Sequence, residues 1–153
     1  MKKTFLIAIS ALSILFITTS CESESISSMQ TTQEIPLEID TFIRENFPDN
    51  PKPVLDIFTT KHSPEVTYYA TLPDGIVITF NKDKNWTEIQ GYSNEIPTKL
   101  LPEKISNYIA TKYPNQIVQY ISKREKEIWV GVSKASLAFN LQGELLKTII
   151  YEH

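Results

Sequence analysis

Reactive side chains are scarce in this chain of 153 residues. Cys21 is the sole cysteine, His62 and His153 are the only histidines, and there are four glycines. One cysteine cannot form a disulfide within the chain, and four scattered glycines cannot build a phosphate-binding loop. His62 lies in a predicted loop and His153 ends the chain, so neither is placed as a catalytic base. We therefore predict that the protein is not an enzyme and uses no cofactor.

A metal site is not expected either. Asn81, Asp83 and Asn85 alternate like the first three ligands of a calcium-binding loop. Such a loop then needs glycine at its sixth position and a bidentate glutamate at its twelfth, where this chain has Trp86 and Tyr92. We interpret the segment as a polar hairpin turn.

Clusters of basic residues are also missing. The chain has 15 Lys and Arg against 18 Asp and Glu, a formal charge of −3. Removal of the first twenty residues would change this charge to −5, because they contain Lys2 and Lys3 but no Asp or Glu. This acidic balance predicts no nucleic-acid partner and no electrostatic attachment to anionic lipid.

The first twenty residues have the build of a bacterial export signal. Lys2 and Lys3 precede an almost uncharged apolar run at residues 4–17, and small polar residues follow up to Ser20. We predict a signal peptide at residues 1–20. The alternative is a retained membrane anchor, for which the run is short of the roughly twenty residues that a spanning helix needs.

Cys21 follows this segment directly and resembles the acylation site of bacterial lipoproteins, although Thr18 stands where that pattern prefers leucine. We predict lipidation at Cys21, so that the protein is exported and anchored in the cell envelope by lipid alone, at the outer membrane. The alternative is a periplasmic or secreted protein without the anchor. Residues 21–34 contain few large apolar groups and are predicted to be a disordered tether.

Two stretches, residues 35–48 and 101–114, share one pattern. Each opens with an apolar residue and proline and closes with an aromatic residue and proline. Their apolar residues recur at the spacing of one helix face: Ile35, Ile39, Phe42, Ile43 and Phe47, then Leu101, Ile105, Tyr108, Ile109 and Tyr113. Both stretches are predicted to be amphipathic helices that the prolines delimit.

A run of predicted antiparallel strands follows each helix. The strands are expected at residues 54–59, 68–72, 76–80 and 86–90, then at 117–122, 128–132, 135–139 and 145–150. The order predicts two tandem repeats of a helix and an antiparallel meander, at residues 35–91 and 92–153. Together they should form one α+β fold of two layers, with the helices on one face of the sheet.

Alternation along the strands predicts which residues lie on the sheet face away from the helices. The candidate binding face consists of Tyr69, Thr71, Val77, Thr79, Trp129 and Ser136, accompanied by Gly131 and Ala138. Aromatic residues presented on a stiff sheet are typical of binding sites. Two alternatives are that the tether or the C-terminal segment covers this face, or that the sheet edges pair in a dimer. Trp86 fits either a core position or a ligand contact.

Several motifs together resemble the PepSY-like, beta-lactamase-inhibitor-like family of small exported proteins from Bacteroides-type bacteria. They are the Ile-Pro-Thr-Lys-Leu-Leu-Pro stretch at residues 96–102, Tyr108-Ile109, Tyr113-Pro114, the strand after Gly75, and the turn with tryptophan at 81–89. The resemblance implies an α+β fold related to beta-lactamase inhibitor protein, whose sheet face meets its enzyme, and it supplies no catalytic residues. The chain departs from the family at Lys84, where glycine is favoured, and at Leu145, where the second unit lacks the tryptophan.

These observations predict a non-enzymatic binding module of the cell envelope. It would hold or inhibit an envelope protein or peptide through the open face of its sheet. The alternative is a periplasmic or surface receptor for a peptide or small molecule, which feeds an envelope sensor.

Overall fold

The computed structural model of the chain describes residues 34–50, 52–60 and 63–151. The predicted signal peptide, the predicted lipidation site Cys21, the predicted tether up to residue 33 and both histidines lie outside these residues. Within the described part, no helix is both long enough and apolar enough to cross a membrane.

Both predicted helices are present, and prolines set their limits. Helix α1 is Leu37–Asn46, and α2 is Glu103–Lys112, which follows a short 3-10 helix at Thr98–Leu100. Each begins after a proline with the same backbone angles, φ −54° and ψ 138° at the first and φ −52° and ψ 140° at the second. Each ends at an aromatic residue whose next neighbour is proline, since that neighbour disfavours helical geometry.

Eight strands follow one another across a single antiparallel sheet in their order along the chain. They are β1 Val54–Thr60, β2 Ser63–Thr71, β3 Val77–Phe80, β4 Trp86–Gln90, β5 Val118–Lys123, β6 Glu127–Val132, β7 Ala135–Asn140 and β8 Leu145–Ile150. The predicted α+β class is therefore confirmed. Strand β2 begins five residues before its predicted start, because its polar first half still pairs with β1, from Thr67 opposite Phe58 to Ser63 opposite Thr60.

Side chains on one face of the sheet pack beneath both helices. The central line of register partners on this face runs Leu55, Ala70, Ile78, Ile89, Ile121, Val130, Leu137 and Thr148. The buried helix residues are Ile39 and Ile43 of α1 and Ile105 and Ile109 of α2, and all belong to the same core cluster. Full burial of each such side chain contributes about 1.5–3 kcal/mol. One core therefore joins the two helices to strands β1–β7, while β8 contributes no buried residue to it.

Two aromatic pairs fix the helices above their strands. The ring of Phe42 on α1 meets Phe80 edge-on, with 5.6 Å between ring centroids. Tyr108 on α2 meets Phe139 in the same way at 5.5 Å. Edge-to-face contacts of this kind add about 0.5–1.5 kcal/mol beyond the area that they bury.

Candidate binding face

The sheet face away from the helices, called here the open face, carries two complete lines of register partners across all eight strands. Row A is Asp56, Tyr69, Thr79, Glu88, Ser122, Trp129, Ala138 and Lys147. Row B is Val54, Thr71, Val77, Gln90, Tyr120, Gly131, Ser136 and Ile149. Seven steps of about 4.8 Å between strands make each row about 34 Å long.

All six residues of the candidate binding face lie in these rows. Tyr69, Thr79 and Trp129 belong to row A, and Thr71, Val77 and Ser136 belong to row B. Each of the six is half-buried, so each keeps part of its surface in contact with solvent. Gly131 and Ala138 also lie in the rows but are buried beneath their neighbours. The structure thus brings the six together on one surface, and their role in binding stays a prediction.

Alternation alone missed the centre of the face. Strands β4 and β5 supply Glu88, Gln90, Tyr120 and Ser122 there. A bulge at Thr87 and another next to Val118 shift the pairing by one residue, so counting from the strand ends gives the wrong side. Counting outward from a buried isoleucine would have found them, since Ile89 and Ile121 each stand between two open-face residues.

Glu88 holds two side chains at the centre of the open face. Its carboxylate accepts a hydrogen bond from the Tyr120 hydroxyl at 2.9 Å and another from the Gln90 amide nitrogen at 2.6 Å. The three residues come from two neighbouring strands, and Gln90 and Tyr120 are register partners. Tyr120 is therefore fixed at its hydroxyl as well as at its backbone.

Trp129 is held in place on two sides. Its indole N–H donates to a Glu127 carboxylate oxygen at 2.8 Å. The guanidinium carbon of Arg124 lies 4.9 Å from the Trp129 ring centroid, within the range of a cation–π contact. Both partners are close in sequence, so this arrangement depends only on β6 and the turn before it.

The C-terminal end of the described chain contacts one end of the open face. The Tyr151 hydroxyl lies 2.6 Å from the Ser136 hydroxyl oxygen, and either group can donate. Tyr151 also continues the pairing of β8 through its backbone N–H, which donates to the Lys134 carbonyl. Tyr151 therefore contacts the face at this end, while Tyr69 and Trp129 keep contact with solvent.

Trp86 belongs to the core rather than to the open face. It is the register partner of Phe80 on the helix side, and its ring lies 6.1 Å from that of Phe42. The Lys123 ammonium sits over the same ring, 3.3 Å from its centroid. Partial desolvation there lowers the pKa of Lys123 below its ordinary value. This tryptophan thus closes the end of the core beneath α1.

The turn at residues 81–85 is held by its own asparagine. The Asn81 side-chain oxygen accepts from the backbone N–H groups of Asp83 and Asn85, both at 3.0 Å. This is the bonding of a polar hairpin turn, as the sequence predicted. Across residues 34–50, 52–60 and 63–151, no three His, Cys, Asp or Glu side chains are grouped so that they could hold a metal ion.

The family follows from a match over residues 65–147. That segment, from within β2 to within β8, matches the protein family described as "Putative beta-lactamase-inhibitor-like, PepSY-like". It spans more than half of the 153 residues. The chain belongs to this PepSY-like family. The resemblance inferred from the motifs is confirmed, and both rows of the open face lie largely within the matched segment.

Three solved structures share the fold of this PepSY-like chain. A "putative calcium-regulated periplasmic protein" from Bacteroides thetaiotaomicron is 24% identical with a TM-score of 0.69, covering 76% of this chain and 91% of its own. A putative periplasmic protein of the DUF2874 family from Bacteroides vulgatus is 26% identical with a TM-score of 0.67, covering 75% and 90%. Another putative periplasmic protein of unknown function from Bacteroides vulgatus is 22% identical with a TM-score of 0.70, covering 78% and 95%. No curated protein matches.

Lys84, where the family favours glycine, has the positive φ angle that glycine adopts easily. Lys84 has φ 61°, in the left-handed region that favours glycine. Gly143 holds the same place in the second turn, with φ 76°, and Asn140 accepts there from Gln142 and Glu144 as Asn81 does in the first. The asparagine anchor keeps the turn in this shape although lysine replaces glycine, at a cost of about 1–2 kcal/mol.

Proposed function

We propose that this PepSY-like chain is a non-enzymatic binding module of the cell envelope that holds or inhibits a protein partner on its open face. The observation that supports the proposal most is that aromatic side chains on this face are partly exposed and held in fixed positions. Tyr69, Tyr120 and Trp129 are half-buried on a continuous eight-stranded sheet, and hydrogen bonds fix the last two.

Fixed aromatic side chains suit protein binding for an energetic reason. A side chain that becomes ordered only on association costs about 0.5–1.5 kcal/mol, and that cost is largely removed when the free protein already holds it. Tryptophan, tyrosine and arginine are also the residues that dominate measured binding energies at protein interfaces. Trp129 with Arg124 stacked on it, and Tyr120 bound to Glu88, combine both properties.

The charges of row A favour one orientation of the partner. Asp56 stands at the β1 end, Glu88 at the centre and Lys147 at the β8 end. A matching surface would place basic groups over Asp56 and Glu88 and an acidic group over Lys147. Complementary charges of this kind select partners and fix the direction of docking more than they raise affinity.

Replacing Tyr69 and Trp129 with alanine tests the binding face. Truncation of an interface hot spot costs about 2 kcal/mol or more, so each change should weaken binding of envelope proteins about thirtyfold. The measurement is affinity capture from native membranes, with the captured proteins quantified by mass spectrometry. Leu37→Ala is the matched control, because Leu37 is exposed on α1, in the layer away from the open face. Capture that is unchanged in the Tyr69 and Trp129 variants, or reduced equally in Leu37→Ala, would contradict the proposal.

We also propose that the protein is exported and lipid-anchored at Cys21, in the outer membrane. The periplasmic descriptions of the solved relatives support export, and the signal-like residues 1–20 before Cys21 support the anchor. Metabolic labelling with a tagged fatty acid should label the wild type and leave Cys21→Ser unlabelled, because the thiol is the attachment point. Equal labelling of both would refute the anchor.

The division into repeats at residues 35–91 and 92–153 is likewise proposed. Equal backbone angles at the two helix starts support it, as do the matching asparagine-anchored turns. We propose that the two units share one core, in a fold related to that of beta-lactamase inhibitor protein. Buried residues of both units in a single cluster support the shared core, and the beta-lactamase-inhibitor-like name of the family supports the relation.

A further inference from the structure

Strand β8 leaves apolar side chains in solvent along a free edge of the sheet. In the described part of the chain β8 pairs with β7 on one side only. Leu146 is 54% exposed and Ile150 is 69% exposed, and Leu145 and Leu141 beside them are exposed as well. Natural proteins usually protect edge strands with charges, prolines or a covering element, because a bare apolar edge invites another strand. Lys147 is the one charged residue in β8.

The backbone of β8 also has groups that point away from the sheet. The N–H of Tyr151 points toward the β7 side and donates to the carbonyl of Lys134, the residue directly before β7. Successive residues of an antiparallel strand alternate in the direction of their N–H and C=O groups, so Ile149 and Lys147 point the same way as Tyr151. Thr148 and Ile150 therefore direct theirs outward, at the free edge.

We propose that β8 pairs with β8 of a second copy of this chain, in an antiparallel arrangement with Thr148 on the two-fold axis. Thr148 then lies opposite Thr148 of the second copy. Ile150 of each copy comes beside Leu146 of the other, which is the bulge residue of β8 between Leu145 and Lys147. The two sheets become one sheet of sixteen strands. This surface is separate from the open face and does not depend on what the open face binds.

Register and charge favour a second copy as the occupant of the edge. A two-fold interface must be self-complementary, since the same strand supplies both sides. Centred on Thr148, the pairing places the two most exposed apolar residues of β8 against each other and joins two threonines, a favourable cross-strand pair. It also places Lys147 opposite Ile149, on the open-face side, so that within β8 no two like charges lie opposite each other.

Pairing of β8 with β8 uses the same edge of both copies, so the assembly stops at a dimer. Pairing of β8 with the other edge strand, β1, would instead add copies head to tail and produce an open filament. An interface built from one strand on each side is smaller than the roughly 1,600 Å² of a standard complex. We therefore expect a reversible dimer whose fraction rises with protein concentration in sedimentation velocity.

Cysteine cross-linking tests the register directly. The Cα atoms of a hydrogen-bonded antiparallel pair lie about 5.5 Å apart, within the range that a disulfide spans. In the full-length chain carrying Cys21→Ser, Thr148→Cys should thus form a disulfide-linked dimer under mild oxidation, seen on non-reducing gels. Val54→Cys in the same background is the matched control, because Val54 is 63% exposed on the opposite edge strand and should stay monomeric.

Ile150→Lys supplies an independent measurement. It places a charge against Leu146 of the second copy and should weaken dimerisation at least tenfold by sedimentation equilibrium. Its melting temperature as a monomer should match the wild type, because Ile150 is exposed there. Equal cross-linking of Val54→Cys and Thr148→Cys, oligomers larger than a dimer, or a wild type that is monomeric at every concentration would overturn the proposal. So would a monomer in which the outward amides of Thr148 and Ile150 resist hydrogen exchange, since another segment would then occupy the edge.

Discussion

Phe139→Ala should lower the free energy of unfolding by about 3–5 kcal/mol, and Phe80→Ala by a similar amount. Both side chains are fully buried, and each meets an aromatic ring of the helix above it, Tyr108 for Phe139 and Phe42 for Phe80. Truncation leaves a cavity that the surrounding sheet cannot fill, because backbone hydrogen bonds hold the strands in place. Urea denaturation followed by circular dichroism and by tryptophan fluorescence measures the loss.

The same experiment tests whether the two proposed repeats share one core. Phe80 lies in the first repeat and Phe139 in the second, but both belong to one buried cluster that Ile89 and Ile121 connect across β4 and β5. Each variant should therefore unfold in a single transition, earlier than the wild type. Leu37→Ala, at an exposed position of α1, should change stability by less than about 0.5 kcal/mol. A biphasic transition in which only one half of the signal moves would show that the repeats unfold separately.

Gly131→Ala should destabilise the protein by about 1–3 kcal/mol, although it adds only one methyl group. A Cβ at position 131 would stand 2.8 Å from the Cβ of Tyr120, closer than real side chains approach. That carbon is attached directly to the β5 backbone, so it cannot move aside as the far end of a flexible side chain could. The clash should displace Tyr120 and strain its hydrogen bond to Glu88 at the centre of the open face.

A double-mutant cycle shows whether the cost of Gly131→Ala comes from the contact with Tyr120 or from placing any side chain at this position of β6. Tyr120→Gly removes the carbon that Gly131→Ala would meet, so the second change should cost at least 0.5 kcal/mol less in the Tyr120→Gly background. Thermal unfolding of the four chains gives the coupling. An identical cost of Gly131→Ala in both backgrounds would show that contact with Tyr120 is not the reason for glycine at this position.

Local patterns were sufficient where the chemistry is local. Proline before and after each helix, with apolar residues at helical spacing between, placed α1 and α2 correctly because backbone geometry at proline depends only on neighbours. The hairpin turn at Asn81 could also be predicted, since its bonds are made by the asparagine itself. The early start of β2 could not, because its polar half is a strand only through pairing with β1.

Local patterns predicted only part of the open face. Its outer residues Tyr69, Val77 and Trp129 could be assigned from alternation within regular strands. Its centre, with Glu88 and Tyr120, depends on bulges that shift the pairing by one residue, and such a shift is a property of two strands together. The place of Trp86 in the core likewise depends on its contacts with the partner strand and with α1, which are distant in sequence.

The sequence by itself determined the fold class, the two helices, most strand positions and the family, because periodicity, proline and turn chemistry act over a few residues. Only the tertiary structure decided that β4 pairs with β5 to join the two predicted meanders into one sheet, and it alone decided the two rows of the open face and the bare edge at β8. These depend on which backbones pair and in which register, and pairing is set by contacts between residues far apart in the chain.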